Sequence, residues 1–252
     1  MAPPAKTRLD QLLVDKGLAP SRQRAQALIM TGDVLVEDAP ITKPGTRVPV
    51  TAAIHVRQSC PYVSRGGLKL AGALRAYDLD VSGLACLDVG ASTGGFTDCL
   101  LQNGAAHVVA VDVGYGQLAW SLRQDDRVTV LERTNIRHLA ADALPGPVDL
   151  AVIDVSFISL TIVIPAVLPF LTPKGRILAL IKPQFEIGKG RVGKGGVVRD
   201  PVHHREVLDK LAAFAREHRL GCDAASESPI TGPKGNIEFF NIFTLDFSEN
   251  AG

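Results

Sequence analysis

The sequence lacks the cysteine patterns that a disulfide framework or a zinc site requires. Its 252 residues include four scattered cysteines, with no Cys-x-x-Cys pair and no Cys/His cluster: Cys60, Cys86, Cys99 and Cys222. Small secreted domains depend on dense disulfides, whereas scattered thiols are typical of a reducing compartment. We therefore expect reduced thiols and no bound metal.

A secretory signal and a membrane span are also missing. Residues 1–6 contain no apolar run. The longest apolar stretch, residues 150–171, is long enough to cross a bilayer, but Asp154 stands near its start and Pro165 and Pro169 interrupt its second half. A buried strand followed by a short helix fits this stretch better. We expect no membrane partner and a cytoplasmic location.

Net charge does not indicate a partner, because 27 Lys and Arg residues nearly balance 26 Asp and Glu residues. The distribution of charge is more informative. Residues 1–58 contain eight basic and five acidic side chains, so the net charge of +1 leaves about −2 for the rest of the chain. A basic N-terminal segment indicates a polyanionic partner.

Hydrophobic periodicity divides the chain into a small first block and a larger second block. The first block contains two predicted helices and two predicted strands (residues 7–16, 21–30, 34–36 and 46–48). From Ser64 onward, short apolar strands alternate with helices. We therefore predict a small α+β domain at residues 1–58, a linker at residues 59–63 and a second domain at residues 64–252.

The alternation in the second block predicts an α/β fold with a doubly wound, mostly parallel sheet. The predicted strands are residues 85–89, 108–113, 128–131, 150–154, 176–181 and 239–245. The predicted helices are residues 64–77, 97–103, 116–123, 159–171 and 201–218.

A glycine-rich turn at residues 90–95, between the first of these strands and a helix, indicates a nucleotide-type ligand. Its glycines allow close approach of a ligand, and the helix start offers free N–H groups. Asp112 ends the next strand, where a carboxylate can bind the hydroxyls of a ribose. The spacing Gly-x-x-x-Gly-Gly is not that of a dinucleotide site, and Asp88 before the turn would repel a pyrophosphate. These features favour S-adenosylmethionine over a nicotinamide cofactor; a turn that serves only backbone geometry is the remaining alternative.

Charged side chains stand at the ends of predicted elements in the second block. Asp154 and Lys182 end the fourth and fifth strands. Lys69 lies on the helix before the first strand, and Glu238 stands just before the last strand. Because ligands of doubly wound sheets bind beyond the carboxyl ends of the strands, Asp154 and Lys182 are expected to face the methyl donor. Spacing alone does not select these four, and a solvated surface is the alternative for any one of them.

The first block resembles the S4-type RNA-binding domain of ribosomal proteins and RNA-modifying enzymes over residues 7–54. The motifs that carry the resemblance are Arg8-Leu9-Asp10 with Leu12-Leu13, Ser21-Arg22 with Ala25, and Gly32-Asp33-Val34. It implies an RNA partner, such as structured ribosomal RNA, recognised by shape and backbone. The basic residues expected to contact RNA are Arg8, Arg22, Arg24 and Arg65. On charge alone, a merely solvated face is the alternative.

Motifs along nearly the whole chain resemble the TlyA family, whose members are described as hemolysins or as FtsJ-like ribosomal RNA 2′-O-methyltransferases. They are Ser64-Arg65-Gly66-Gly67-x-Lys69, Asp88 to Phe96, Asp112 to Gly116, Asp154-Val155-Ser156-Phe157, Lys182-Pro183-Gln184-Phe185-Glu186 and Gly235-Asn236-x-Glu238. The resemblance implies a Rossmann-like methyltransferase domain that uses S-adenosylmethionine. It also implies cytidine 2′-hydroxyls of small- and large-subunit ribosomal RNA as acceptors, with ribosomal subunits as partners.

The resemblance further implies which residues form the site. The Lys-Asp-Lys-Glu tetrad of FtsJ-like enzymes corresponds to Lys69, Asp154, Lys182 and Glu238. The expected cofactor contacts are Asp88, Gly90, Ala91, Ser92, Thr93, Gly94, Gly95, Phe96, Asp112, Val113, Asn135 and Asp154.

The tetrad suits a ribose 2′-hydroxyl, which is a weak nucleophile that needs in-line positioning and help with one proton. Our hypothesis is that Lys182 acts on the 2′-oxygen as a base or an oxyanion stabiliser. Lys69 would lie beside it, and Asp154 and Glu238 would orient the lysines. Two other classes remain: a non-catalytic, RNA-binding ribosome-assembly factor and a hemolysin.

A second glycine-rich stretch, residues 188–195, matches Gly-x4-Gly-Lys. Gly195 stands where a phosphate-binding loop needs Ser or Thr, and no strand leads directly into the stretch. A mobile basic loop that closes over bound RNA, or a plain flexible loop, therefore explains it better than a nucleoside-triphosphate site.

Overall fold

The computed structural model describes residues 5–30, 32–56, 60–140, 142–188, 190–193 and 195–245. The chain divides into two compact units, and the boundary along the sequence lies between residues 60 and 61. Each unit has its own hydrophobic core.

The first unit packs two helices against short antiparallel strands. Its elements are β1 (Lys6–Arg8), α1 (Leu9–Asp15), α2 (Arg22–Met30), β2 (Val34–Val36), β3 (Ala39–Pro40), β4 (Arg47–Pro49) and β5 (Ile54–Val56). Strand β1 pairs with β4, and β2 pairs with β3 and β5. The core is built from Leu9, Leu13 and Ile29, which are fully buried. The predicted helix 7–16 is wrong at its start, because residues 6–8 pair with β4 before the helix begins.

The second unit alternates strands with helices. Its elements are α3 (Gly66–Ala76), β6 (Ala85–Val89), α4 (Gly95–Gln102), β7 (His107–Val111), α5 (Trp120–Arg123), β8 (Val128–Leu131), β9 (Val148–Ile153), α6 (Leu160–Val167), β10 (Leu171–Ile181), α7 (Pro183–Glu186), α8 (Pro201–Glu217), β11 (Leu220–Cys222), β12 (Ser226–Glu227) and β13 (Phe239–Leu245). Short 3-10 helices lie at Ile136–His138 and Leu168–Phe170.

The described strands of this unit form one sheet in the order β11-β13-β10-β9-β6-β7-β8, with β12 paired to β13. Strands β6 to β10 run parallel, whereas β13 is antiparallel to both β10 and β11. The chain proceeds outward from β6 to β8 and then returns to β9 on the other side of β6. The carboxyl ends of β6 and β9 are therefore the point at which strand order reverses, where ligands bind in such sheets.

Both faces of the sheet are buried, so the predicted doubly wound, mostly parallel fold is confirmed. Alternate strand residues point to opposite faces. Leu87 and Ile153 pack in the cluster that contains residues of α6 and α8, whereas Cys86 and Val152 pack in the cluster that contains residues of α3 and α4.

Several predicted element boundaries are wrong. The predicted helix 116–123 is helical only over Trp120–Arg123, because Gly116 adopts φ +73° within a loop. The predicted helix 159–171 ends in a 3-10 turn at Leu168–Phe170, where Pro169 cannot continue it, and Leu171 already belongs to β10. The sequence prediction also missed the short strands β3, β5, β11 and β12.

Candidate active site

The glycine-rich turn after β6 lies directly against the end of β9. Gly90 has φ +90°, and a Cβ added there would stand 2.5 Å from the carbonyl oxygen of Asp154. Gly95 begins α4, and a Cβ there would stand 2.9 Å from the backbone nitrogen of Gly67. Glycine at these two positions therefore brings the turn close to both β9 and α3.

Asp88 is fully buried beneath this turn. Its Oδ2 accepts hydrogen bonds from the backbone N–H (2.9 Å) and the hydroxyl (2.6 Å) of Thr97. Burial raises the pKa of Asp88 to about 7. The side chain, which we expected to contact the cofactor, is 0% exposed, and its Oδ2 ties β6 to the first turn of α4.

Asp112 forms hydrogen bonds with the glycine-rich turn and with the loop after β7. Its Oδ2 accepts a hydrogen bond from Ser92 N–H at 2.8 Å, and its Oδ1 accepts one from Gly114 N–H at 2.6 Å. Each carboxylate oxygen has a further lone pair. The arrangement therefore fixes the carboxylate and leaves acceptor capacity for a ribose hydroxyl.

Two cavities meet at the reversal point. We call the first the strand-end cavity; it measures about 600 Å³, and its lining includes Gly90, Ser92, Asp112, Val113, Asn135 and Asp154. We call the second the loop cavity; it measures about 390 Å³, and its lining includes Arg65, Lys69, Gly90, Ala91, Ser92, Thr93, Gly95, Phe96 and Asp154. Their shared residues are Gly90, Ser92 and Asp154. The two cavities therefore adjoin at the glycine-rich turn and the end of β9.

Most of the expected cofactor residues thus lie together. Gly94 is an exception among the glycines: it is not a lining residue of either cavity, and a Cβ there would meet Leu118 and Leu122. The side chain of Asn135 accepts a hydrogen bond from Arg137 N–H at 3.1 Å, which begins the 3-10 turn at Ile136–His138 beside the strand-end cavity.

The four tetrad residues line a third space of about 420 Å³, which we call the lysine cavity. Lys182 forms an ion pair with Asp154, with Nζ 2.5 Å from Oδ1, and donates a hydrogen bond to Ser156 Oγ at 3.1 Å. Lys69 donates a hydrogen bond to Glu238 at 2.5 Å, and Glu238 is 1% exposed. Asp154 lines all three cavities and Lys69 also lines the loop cavity, so the tetrad borders the ligand space at these two residues.

The sequence prediction did not assign roles to several other residues around the lysine cavity. Phe157 is 90% exposed at φ +65°, and its ring centroid lies 4.9 Å from that of Phe185. Asn236 is buried; it accepts a hydrogen bond from Val198 N–H and donates one to Gly196 C=O. Phe157 and Phe185 stand beside tetrad residues in the sequence motifs, which could have identified them. The contacts of Asn236 depend on tertiary structure.

The second glycine-rich stretch does not form a phosphate-binding loop in its described part. The helix α7 precedes it, rather than a strand. Asn236 donates a hydrogen bond to Gly196, the residue that follows the stretch, and Arg191 forms an ion pair with Glu206 at 2.6 Å. Lys189 and Lys194 lie outside the described residues.

The four arginines expected to contact RNA have different surroundings. Arg8 and Arg22 both form ion pairs with Asp10, at 2.9 Å and 3.0 Å, and their side chains remain 45% and 52% exposed. The Arg8 guanidinium holds the pKa of buried Asp10 well below its usual range. Arg65 donates a hydrogen bond to the backbone oxygen of Thr231. Arg24 lies on α2.

Within the described residues, no helix combines the length and apolar content needed to cross a membrane. No group of three or more His, Cys, Asp or Glu side chains in the same residues could hold a metal ion.

The chain matches the family described as FtsJ-like methyltransferase over residues 62–244 and the S4 domain family over residues 7–54. It is 52% identical, over 93% of its length and 88% of the relative's, to the 16S/23S rRNA (cytidine-2'-O)-methyltransferase TlyA of Mycobacterium tuberculosis. It is 39% identical to Hemolysin A of Brachyspira hyodysenteriae over 94% of this chain and 100% of the relative. A solved structure from Streptococcus thermophilus, which has the provisional name of hemolysin, aligns with TM-score 0.74 and 42% identity over 95% of this chain and 88% of that one.

Proposed function

The chain belongs to the TlyA family of FtsJ-like methyltransferases, and we propose that it transfers a methyl group to cytidine ribose 2′-oxygens in small- and large-subunit ribosomal RNA. The observation that carries this proposal is the convergence of Lys69, Asp154, Lys182 and Glu238 on one cavity that adjoins the cofactor space at Asp154.

The combined strand-end and loop cavities suit S-adenosylmethionine, which supplies an electrophilic methyl group when bound. Asp112 would bind the ribose hydroxyls, and Asn135 and Val113 would line the space for the base. The backbone of residues 90–93 would face the amino-acid arm. Because Asp88 is buried, its part would be to hold the turn rather than to touch the ligand.

Lys182 is the group that we assign to the RNA 2′-oxygen. An ammonium has three N–H donors. Asp154 and Ser156 interact with two of these N–H groups, which leaves the third N–H free to bind a substrate oxygen. The amine would take up the hydroxyl proton as a base, or the ammonium would stabilise the developing oxyanion. The ion pair of Lys69 and Glu238 would contribute to the lining of the same cavity.

The S4 domain supports RNA as the partner. We propose that the chain acts on ribosomal RNA within ribosomal subunits, in the cytoplasm. Arg8 and Arg22 would contact phosphates with their exposed portions, because Asp10 already fixes their geometry. Arg24 would add to this contact within the first unit, and Arg65 would contact RNA from the second unit. Recognition by backbone and shape is typical of structured RNA.

The test compares the wild type with Lys182→Ala and with the matched control Lys174→Ala. Lys174 is an exposed lysine near the beginning of β10, the strand after which Lys182 stands. Each protein is incubated with labelled S-adenosylmethionine and unmodified ribosomal subunits, and the 2′-O-methyl positions are mapped. We expect methylation by the wild type and by Lys174→Ala, and none by Lys182→Ala, which should still bind the cofactor. Single-turnover methylation by Lys182→Ala would contradict the assignment.

The same proteins separate the alternative functions. A non-catalytic assembly factor would bind RNA but would show no rise in melting temperature with S-adenosylmethionine. A lytic protein would lyse erythrocytes equally well with and without Lys182. We expect a cofactor-dependent rise and no lysis.

A further inference from the structure

The segments that carry Asp154 and Lys182 are joined at successive positions. Beyond the Asp154–Lys182 ion pair, the ring of Phe157 packs against that of Phe185. Beyond those rings, Glu186 bonds to the start of α6. The two segments therefore run side by side from the catalytic residues to this carboxylate.

Glu186 is the buried residue at the end of these successive contacts. Its Oε1 accepts a hydrogen bond from Leu160 N–H at 2.7 Å, and its Oε2 accepts one from the hydroxyl of Ser159 at 2.6 Å. Lys210 of α8 donates to the same Oε2 at 3.2 Å and to the backbone oxygen of Glu186 at 3.0 Å. The residue is 6% exposed, and it is not a lining residue of the three cavities described above.

We propose that Glu186 is a positioning residue of the active site, which fixes the segment containing Asp154 and Ser156 relative to Lys182. This inference rests on the proposed function, because it concerns the geometry of Lys182 during methyl transfer. Ser159 and Leu160 begin α6, so their bonds to Glu186 set where the preceding residues lie. Phe157, at φ +65°, lies in this short connection; this backbone conformation costs free energy and persists only when the surroundings impose it.

A carboxylate is the side chain that suits these donors. It offers acceptors only, and its neighbours are an N–H, a hydroxyl and an ammonium. In Glu186→Gln, the amide nitrogen would face either Leu160 N–H or the hydroxyl and ammonium groups. The segment would shift, and a misplacement of about 1 Å near reacting groups costs on the order of 100-fold in rate.

The experiment measures single-turnover methylation of ribosomal subunits by the wild type, Glu186→Gln and the control Asp149→Asn. Asp149 accepts hydrogen bonds from Ala85 N–H and Thr172 Oγ1, near the beginnings of β6 and β10, away from their carboxyl ends. We expect Glu186→Gln to lose on the order of 10- to 100-fold in rate with little change in cofactor affinity. We expect Asp149→Asn to keep the wild-type rate. Hydrogen exchange at the amide of Leu160 should accelerate only in Glu186→Gln.

Distinct outcomes overturn the two ideas. An inactive wild type would contradict the proposed function, and the exchange at Leu160 would still test the anchoring by Glu186. An active wild type with an equally active Glu186→Gln, or an equal loss in Asp149→Asn, would overturn the positioning role. If Glu186→Gln does not fold, Ser159→Ala tests the positioning role instead, because it removes one hydrogen-bond donor to Glu186. An unchanged methylation rate in this variant would reject the proposal.

Discussion

Replacing Glu238 with Leu should destabilise the second unit strongly, because the change leaves the ammonium of Lys69 without its partner. The side chains of Lys69 and Glu238 are 9% and 1% exposed. Breaking a buried ion pair from one side costs about 3–5 kcal/mol. For a unit of this size, 1 kcal/mol corresponds to roughly 2–4 °C in melting temperature, so we expect a decrease of about 6–20 °C.

Near-UV circular dichroism can follow this unit alone. The single tryptophan and the three tyrosines of the chain are Trp120, Tyr62, Tyr77 and Tyr115, and all of them belong to the second unit. A thermal scan of this signal in the wild type and in Glu238→Leu therefore reports on the unit that contains the pair.

The double variant Lys69→Met/Glu238→Leu separates stability from activity. Replacing both members of a buried pair with apolar side chains is often neutral or stabilising, so the double variant should recover most of the lost melting temperature. It should remain inactive in methylation. A decrease below about 2 °C in Glu238→Leu would refute the burial argument, and methylation by the double variant would refute the catalytic assignment.

Three further predictions concern the turn after β6 and the first unit. Gly90→Ala should abolish cofactor binding measured by calorimetry, whereas Gly146→Ala, with no atom within 4 Å of the added Cβ, should keep the wild-type affinity. Burial raises the pKa of Asp88 to about 7, so the unfolding free energy of the wild type should fall by up to about 4 kcal/mol between pH 4 and pH 7 relative to Asp88→Asn. Plots of unfolding free energy against pH that run parallel for the two proteins would contradict this. Asp10→Ala should destabilise the first unit by about 1–3 kcal/mol, seen as faster hydrogen exchange in α1 and α2, and unchanged exchange would contradict it.

Strand periodicity was sufficient to predict the sheet, because each central strand is a short apolar run buried on both faces. The same reasoning failed where local pattern and tertiary pairing differ. Residues 6–8 extend along β4, although the apolar spacing after them is helical. Strands β11 and β12 are two or three residues long and are stabilised by pairing with β13, so their own sequences carry little signal.

The candidate site was predictable in its composition more than in its contacts. The strand ends predicted that Asp154 and Lys182 face the ligand side of the sheet, but selecting the four tetrad residues needed the family resemblance. No local pattern indicates whether Asp88 faces a ligand or the interior, because that depends on how α4 covers the end of β6. The role inferred for Glu186 likewise arises from donors on α6 and α8, which lie 26 and 24 residues away in the chain.

The partners Lys69 and Glu238 stand 169 residues apart in the chain. Lys69 belongs to the first helix of the second unit, and Glu238 precedes β13, which inserts between β10 and β11. During translation, the turn after β6, Asp112 and Lys182 all leave the ribosome before Glu238 does. A product that terminates before residue 238 would therefore lack one member of the tetrad and, on the proposed function, could not methylate ribosomal RNA.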